Sequence, residues 1–500
     1  MTVALRRTLD SLTVPNYRRY FTGQVISLTG NWMQTVAETW LVVKLTGSGV
    51  AVGLTAGLQF LPILLLGALG GVFVDRYDKR RLLMLTQTLM AIPALTLWVL
   101  TISGNVQLWM VLALVAVRGT INAVDNPARQ TFVMELVGPE KVVNAVSLNS
   151  VIIHTARIAG PMFAGGLIAL VGVGPCFLIN ALSFGAMLYA LRGMDRSALR
   201  TPTRAPRRSG QVRAAIREVA ARPDLRIPLL MMVVIGTLAY NFQVLLPLFA
   251  KFTWHGTATT YALLMASMGV GSIGGALLAG HRGRVTAHLL VWSAGLFGTA
   301  ELAGALAPTQ WSQMLVLAPL GAASVTFAAG VNSSLQLAAG ELRGRVMALY
   351  SVVFLGSTPI GAPLIGWIAE SAGPRVGLVI GGLAALATAA VAALAYRRAA
   401  AASVLSREFA GSARAPDRVR HRSAPRRTTS TTAVADRRQT RSGIPITATE
   451  LPTHDTRGAA PSASGLPSLP APRRAAPRRS RPAAATGRPA AAGTGGAEAA

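Results

Sequence analysis

Residues 50–74 are apolar, residues 82–101 are apolar again, and between them lies Asp75-Arg76-Tyr77-Asp78-Lys79-Arg80-Arg81. Two runs of membrane length joined by so short a cationic turn can only cross a bilayer as an antiparallel hairpin. Because cationic loops stay inside, that turn belongs on the cytoplasmic side. Gly70 and Gly71 let the two helices approach closely. Asp75 sits where a helix leaves the membrane, and a carboxylate there can accept from the exposed N–H groups of a neighbouring helix start.

The rest of the chain has the same character. Of 500 residues, 52% are hydrophobic and only 13% charged, whereas a soluble domain carries about a quarter charged residues. The net charge of +29 suggests nucleic acid at first sight. Its arginines and lysines, however, sit in short loops between apolar spans and in the last hundred residues, a membrane-topology pattern, so no nucleic-acid partner is expected. Cys176 is the only cysteine, which rules out an intramolecular disulfide and a cysteine metal cluster. The first twenty residues show no apolar core followed by a small-residue cleavage site, so no cleavable signal peptide is expected.

Twelve spans are read from hydropathy, at about 21–45, 50–74, 82–101, 108–126, 143–171, 175–191, 227–252, 261–280, 285–306, 314–335, 347–368 and 377–396. The expected fold is all-α, a membrane protein of two six-helix halves, 1–191 and 227–396. The Arg- and Pro-rich stretch 192–226 joins them and contains a short amphipathic helix at 212–221. With the N-terminus inside, the inner loops collect Arg76, Lys79, Arg80, Arg81, Arg129, Lys141, Arg282, Arg284, Arg343 and Arg345, while the outer loops hold Lys44, Lys251 and Arg375. Both termini then face the cytoplasm. Residues 397–500 are rich in Arg, Ala, Pro, Ser and Thr and poor in core-forming side chains, so a disordered tail is expected. Its arginines either rest on anionic lipid headgroups or are simply solvated.

The halves echo each other about two hundred residues apart. Ser150-Val151, Gly160, Gly165 and Gly172 line up with Ser351-Val352, Gly361, Gly366 and Gly373, and the stretch from Asn126 to Gln130 has a counterpart from Asn332 to Gln336. The hairpin has only a degenerate second copy, from Gly275 to Arg284. A parallel repeat of six-span halves is a known transporter architecture.

Charged residues inside spans are costly, and by default they are functional candidates. Arg118 and Arg157 lie half-way through spans four and five, too deep to snorkel, and so should face a watery cavity or a partner. Glu38 is the natural counter-charge; a static pair that only ties helices together is the alternative. Glu301, nearer a span end, is expected to reach the interface. Asn31, Trp32, Gln34 and Trp40 in span one, with Tyr240, Asn241, Phe242 and Gln243 in span seven, suit a cavity for a greasy substrate with a few polar groups, although amides also serve as interhelical glue. His154 is read as a packing histidine rather than a titrating one.

The spacing Gly71, Asp75, Arg76, Lys79, Arg80, Arg81 resembles the loop signature between spans two and three of the major facilitator superfamily of secondary transporters. Asp78 stands where that family usually has Gly, and Asp tolerates the left-handed turn geometry expected there. Gly160-Pro161 and Gly165-Gly166 resemble the glycine–proline motif of fifth spans in its antiporter branches, with the second pair one residue late. Arg118-Gly119, Asn122-Ala123, Asp125 through Gln130, Asn144-Ala145, Arg157 and Arg343 through Ala348 are similar to bacterial drug–proton antiporters, a group that includes siderophore exporters. The resemblance covers about residues 16–396.

It implies a monomeric, non-enzymatic, multi-pass protein of the bacterial inner membrane that exports a small amphipathic molecule by rocking its halves. The energy source would be the proton gradient, with no bound cofactor or metal, and the partners would be substrate and lipid bilayer. Glu38, Arg118 and Arg157 would couple the proton. In an outward-facing state, Asp75, Arg76 and Arg80 would latch onto the start of span eleven near Met347. A nutrient importer and, in a different class, a membrane sensor remain the alternatives; a sensor should carry a folded soluble domain.

Overall fold

The computed structural model describes residues 10–200, 211–282 and 286–412. The chain divides into two compact units, Met1–Asp417 and Arg418–Ala500, and all the described residues lie in the first. Among them the structure is helical throughout. The helices are α1 (Pro15–Thr46), α2 (Gly49–Arg76), α3 (Lys79–Ile102), α4 (Leu108–Val171), α5 (Gly174–Arg192) and α6 (Gln211–Ala221), then α7 (Pro223–Leu238), α8 (Phe242–Leu248), α9 (Ala258–Arg282), α10 (Ala287–Leu306), α11 (Gln310–Ala338), α12 (Arg343–Gly356), α13 (Thr358–Ala372) and α14 (Pro374–Ser412).

Local chemistry sets many of the ends. Pro15 opens α1, where its missing N–H costs nothing, and Gly47 closes it at φ 63°. Ser48 caps α2 by accepting from the Ala51 N–H, and Thr309 with Ser312 forms a reciprocal capping box at α11. Asp78 behaves differently from expectation. Its φ of −59° is not left-handed; it is the N-cap of α3, and its Oδ1 accepts from the Arg81 N–H at 2.8 Å. The turn survives the loss of Gly because Asp caps the following helix.

Ten of these segments, with α7–α8 and α12–α13 each taken as one, are long and apolar enough to cross a membrane. Two considerations bring the crossings to twelve. α4 has 64 residues, about 96 Å at 1.5 Å per residue, roughly three times the hydrocarbon core. It reverses at Gly138, where φ is 73° and ψ 176°, so 108–137 and 139–171 are separate crossings. α1 is long enough but polar, and that polarity is where the candidate site lies.

Several boundaries differ from the hydropathy reading. Span four continues to residue 137 instead of ending near 126, because Asp125 and Arg129 neutralise each other one helical turn apart and are buried. Span seven breaks between α7 and α8 at Ala239-Tyr240-Asn241, whereas span eleven stays helical through Ser357 (φ −67°, ψ −36°), whose N–H donates to the Val353 carbonyl and whose carbonyl accepts from Gly361. The last helix runs on to Ser412, past the point where the tail was expected to begin. Residues 413–500, the larger part of that tail, lie outside the described residues, as do residues 201–210 of the connecting loop. The amphipathic helix of that loop is α6.

Helix pairing repeats between the halves. α1 packs on α4 and α5, α2 on α4, and α3 on α5; in the second half α7 packs on α14 and α11, α9 on α11, and α10 on α14. The halves meet along two seams, α2 with α13 and α4 with α9. In the first, a Cβ on Gly53 would lie 2.8 Å from Pro363 Cα, and one on Gly366 would lie 2.9 Å from the Gly49 carbonyl carbon. Backbones this close admit no side chain.

Candidate functional site

α1 and the first leg of α4 bring Glu38 and Arg118 together. Arg118 Nη2 donates to Glu38 Oε2 at 2.5 Å, and both side chains are 2% exposed. Gln34, one turn earlier on α1, donates from Nε2 to Glu38 Oε1 at 2.7 Å. Gln34 Oε1 in turn accepts from Asn180 Nδ2, and Asn180 Oδ1 accepts from Ser183 Oγ at 2.9 Å. A buried polar chain thus crosses the half from α4 through α1 to α5. Gly30 makes room for it, since a Cβ there would come within 2.6 Å of Ser183 Oγ. Both carboxylate oxygens have donors, while Arg118 Nε is buried with no acceptor among the described residues.

This arrangement corrects two expectations. Gln34 and Trp40 were assigned to a substrate cavity, but Gln34 is fully buried within the polar chain and Trp40 is packed in the core. Asn180 and Ser183 were not identified from sequence; the signal was two polar side chains one turn apart in an otherwise apolar sixth span.

Arg157 does not pair with Glu38. It lies over the Trp32 ring at 4.9 Å from the centroid, a cation–π contact between the second leg of α4 and α1. Gly160 permits this approach, since a Cβ there would meet Trp32 Cβ at 2.5 Å and Met33 N at 2.9 Å. Pro161 sits inside the same helix. Gly165 and Gly166 are unequal: Gly165 is pressed against Ala262 of α9, whereas Gly166 has nothing within 4 Å.

Tyr240 and Asn241 lie at the break between α7 and α8. Tyr240 OH donates to the Ser324 carbonyl, and its ring packs against Phe297 at 5.1 Å and Phe354 at 6.2 Å. Phe354 stacks on Tyr350 at 5.8 Å. Asn241 is buried, and its Nδ2 donates to the Thr237 carbonyl at 2.8 Å. Asn31, Trp32, Arg157, Tyr240 and Gln243 are half-buried.

Glu301 contradicts its expected place at the interface. It is completely buried, and neither carboxyl oxygen has a hydrogen-bond partner among the described residues.

The cationic hairpin is tied into its own half. Arg80 is buried and donates to the carbonyls of Leu191 at 2.6 Å and Arg192 at 3.0 Å, capping α5. Lys79 pairs with Glu135 at 2.5 Å. Asp75 and Arg76 are exposed. Gly70 lies against Ala123 and Val124 of α4, as close helix packing requires. The packing around Gly71 and the side chain of His154 lie outside the described residues. Nearby, Asp125 Oδ1 accepts from Thr86 and Gln87, and Arg129 donates to Gln24.

Carboxylate capping of a neighbouring helix does occur, but at the other end of the molecule. Glu370 of α13 accepts from Ser48 Oγ at 2.6 Å and from the Val50 N–H at 2.9 Å, at the start of α2. From there the α2–α13 seam runs through Gly53 and Gly57 to Leu64 against Gly356, near mid-span. The halves are closed at the end distant from the cationic loop.

A family model described as transmembrane secretion effector matches residues 7–425. The chain belongs to this family of major facilitator superfamily transporters, and it is an integral membrane protein. Its relatives include the staphyloferrin A transporter of Staphylococcus aureus, 25% identical over 51% of this chain and 64% of that protein. The enterobactin exporter EntS of Salmonella choleraesuis is 27% identical over 74% of this chain and 91% of its own length. The multidrug efflux pump Tap of Mycobacterium bovis is 28% identical over 70% and 86%. The match thus spans just under two thirds of the staphyloferrin A transporter, and likewise 65% of YfiS of Bacillus subtilis. Among solved structures, an inward-facing bacterial homologue of the lysosomal transporter Spinster superposes with a TM-score of 0.62 at 15% identity, over 77% of this chain and 97% of that one. The nucleoside transporter NupG gives 0.62 at 11% identity. At these identities the structures speak for the fold alone.

Proposed function

We propose that the protein is a proton-driven exporter of a small amphipathic molecule in the bacterial plasma membrane, working by alternating access between its halves, with both termini in the cytoplasm. The relatives' roles as siderophore, macrolide and multidrug exporters support the direction of transport. The transporter has no enzymatic step. Closure at the end distant from the cationic loop gives an inward-facing state under the positive-inside orientation.

The observation that carries the coupling is the buried Glu38–Arg118 pair with its Gln34 bridge. Arg stays charged throughout, so the carboxyl is the group able to exchange a proton. Its proton affinity depends on how close the guanidinium lies, and the spare Arg118 Nε leaves that guanidinium a second bond to make in another state. Arg157 and Trp32 beside it would contact substrate.

Glu38→Gln keeps the size and one acceptor oxygen, exchanges the other for an NH2 donor, and cannot titrate. In proteoliposomes, with staphyloferrin, enterobactin and macrolides as trial cargo, the variant should retain substrate exchange at equal pH and lose accumulation driven by a pH gradient. Accumulation at the wild-type rate would remove Glu38 from the mechanism.

A further inference from the structure

We propose that Glu301 is a proton-binding site of the second half, linked to the break in span seven: it holds a proton while the break is packed as seen here, and releases it when the break opens to water. The inference rests on the alternating access proposed above but stands apart from the Glu38 reading, since it uses a different carboxyl in the other half.

The first observation is burial without a partner. Both Glu301 oxygens are sealed from solvent and bonded to nothing among the described residues. An unpaired carboxylate in such a place costs far more than the neutral acid, so in this conformation Glu301 is a carboxylic acid with one O–H to donate.

The second observation is what lies beside it. A Cβ placed on Gly381 of α14 would lie 2.7 Å from Glu301 Oε2, 3.1 Å from the Leu238 carbonyl oxygen and 3.1 Å from Ala239 Cα. The carboxyl, the glycine and the end of α7 therefore converge on one point, which any larger residue at 381 would fill. At that point the helix ladder is irregular: the Tyr240 N–H reaches five residues back to Ile235, and the Asn241 N–H only two back to Ala239. The break holds an orphan acceptor of its own, Asn241 Oδ1, buried with no donor.

Among the described residues no fixed charge competes for the site. α11 carries no charged residue. On α14, Arg375 is committed to the carbonyls of Ala305 at 2.7 Å and Ala307 at 2.9 Å, and lies over Trp254. His288 lies thirteen positions away on α10 itself. Tyr240, at the break, is the titratable side chain within electrostatic range of Glu301, and it is also within range of Arg157 and Tyr350. When the halves rock and span seven bends, water reaching the break accepts the proton: the Glu301 O–H bond breaks, a hydronium leaves, and the carboxylate stays hydrated. A sodium ion is a poor fit, since a hard cation needs about six oxygens and the point of convergence offers the carboxyl and one backbone carbonyl.

The test is an infrared pH titration of the full-length protein in lipid nanodiscs, with amide hydrogen exchange of residues 236–245 followed over the same pH series. Wild type and Glu38→Gln should both show a protonated-carboxyl band that Glu301→Gln lacks. Loss of that band with rising pH should coincide with faster exchange at 236–245, and Glu301→Gln should abolish the pH dependence of that exchange. If Glu301→Gln does not fold, Glu301→Asp serves instead, and must shift band and exchange together. A band that titrates with no change at the break, exchange that follows pH unaltered in Glu301→Gln, or a transition set by sodium concentration would each overturn the proposal.

Discussion

The fifth and eleventh crossings carry the same glycines at the same spacing, yet they stand in halves whose buried polar groups differ. Gly160 brings the fifth against α1, and Gly361 brings the eleventh against Thr237 of α7. Gly165 meets α9 across one seam, and Gly366 meets α2 across the other. Gly172 and Gly373 end the two helices at φ 87° and 94°. Glycine thus fixes a shared scaffold, while polar residues differentiate the halves. The first half holds a carboxylate with both oxygens bonded, Glu38 in its pair with Arg118, beside unbroken crossings. The second holds an unsatisfied carboxyl beside a broken one, the seventh. A helix that has lost part of its own hydrogen bonding bends more readily, so the second half is the more deformable of the two.

The largest effect expected from breaking this comparison comes from the carboxyls. Arg118→Ala strands Glu38 in the interior and should cost about 3–5 kcal/mol, the usual penalty for leaving a buried charge unpaired. Glu301→Leu removes a group that has no partner and should leave stability unchanged or raised. Thermal unfolding of the two variants in detergent measures the contrast, and equal losses would erase the distinction between the halves.

Next comes the seam. Gly366→Val inserts a side chain where the α2 backbone lies and should cost about 1–3 kcal/mol of the closed state, whereas Gly166→Val meets open space and should be silent. Cross-linking between cysteines introduced at exposed Thr46 and Ala372 reports closure, and Cys176, the sole native cysteine, is buried and can be replaced beforehand. Glu370→Ala removes the cap on α2 and should cost about 1 kcal/mol, roughly five-fold in the population of the closed state. The same cross-link measures it.

The smallest effect tests the echo itself. Gly172→Ala and Gly373→Ala each force a side chain into a left-handed backbone with nothing else nearby, so each should cost roughly 1 kcal/mol. Unequal costs in unfolding would mean the two positions are not equivalent.

Much of this was legible in the sequence. Hydropathy gave the crossings, and the repeat of Gly172 and Gly373 is matched by their backbone angles. That Glu38 has an in-span arginine beside it was an expectation drawn from its being the one acid read in the spans of the first half, but the sequence left Arg118 and Arg157 equally open as that partner. What failed needed three-dimensional neighbours. Asp125 and Arg129 look like a loop until Thr86, Gln87 and Gln24 are known to surround them. Gln34 looks like a cavity residue until Asn180 takes its carbonyl. Glu301 is close enough to a span end to suggest snorkelling, and its burial is set by Gly381 on a helix eighty residues away. The break at Tyr240 has no strong local signal, whereas the missing N–H of Pro359 marks the irregular ladder just after Ser357 in the sequence itself.

The length of α14 has a consequence for whatever follows it. The apolar run ends near Tyr396, but the helix continues to Ser412, a further distance of about 24 Å at 1.5 Å per residue. Arg397 and Arg398 stand at the foot of this extension, where a bilayer surface would hold them. Its far end lies about three screening lengths away in physiological salt, where the Debye length is about 8 Å. With its axis along the bilayer normal, α14 would thus carry Ser412 to a depth of solvent where the charge of the lipid headgroups is already screened.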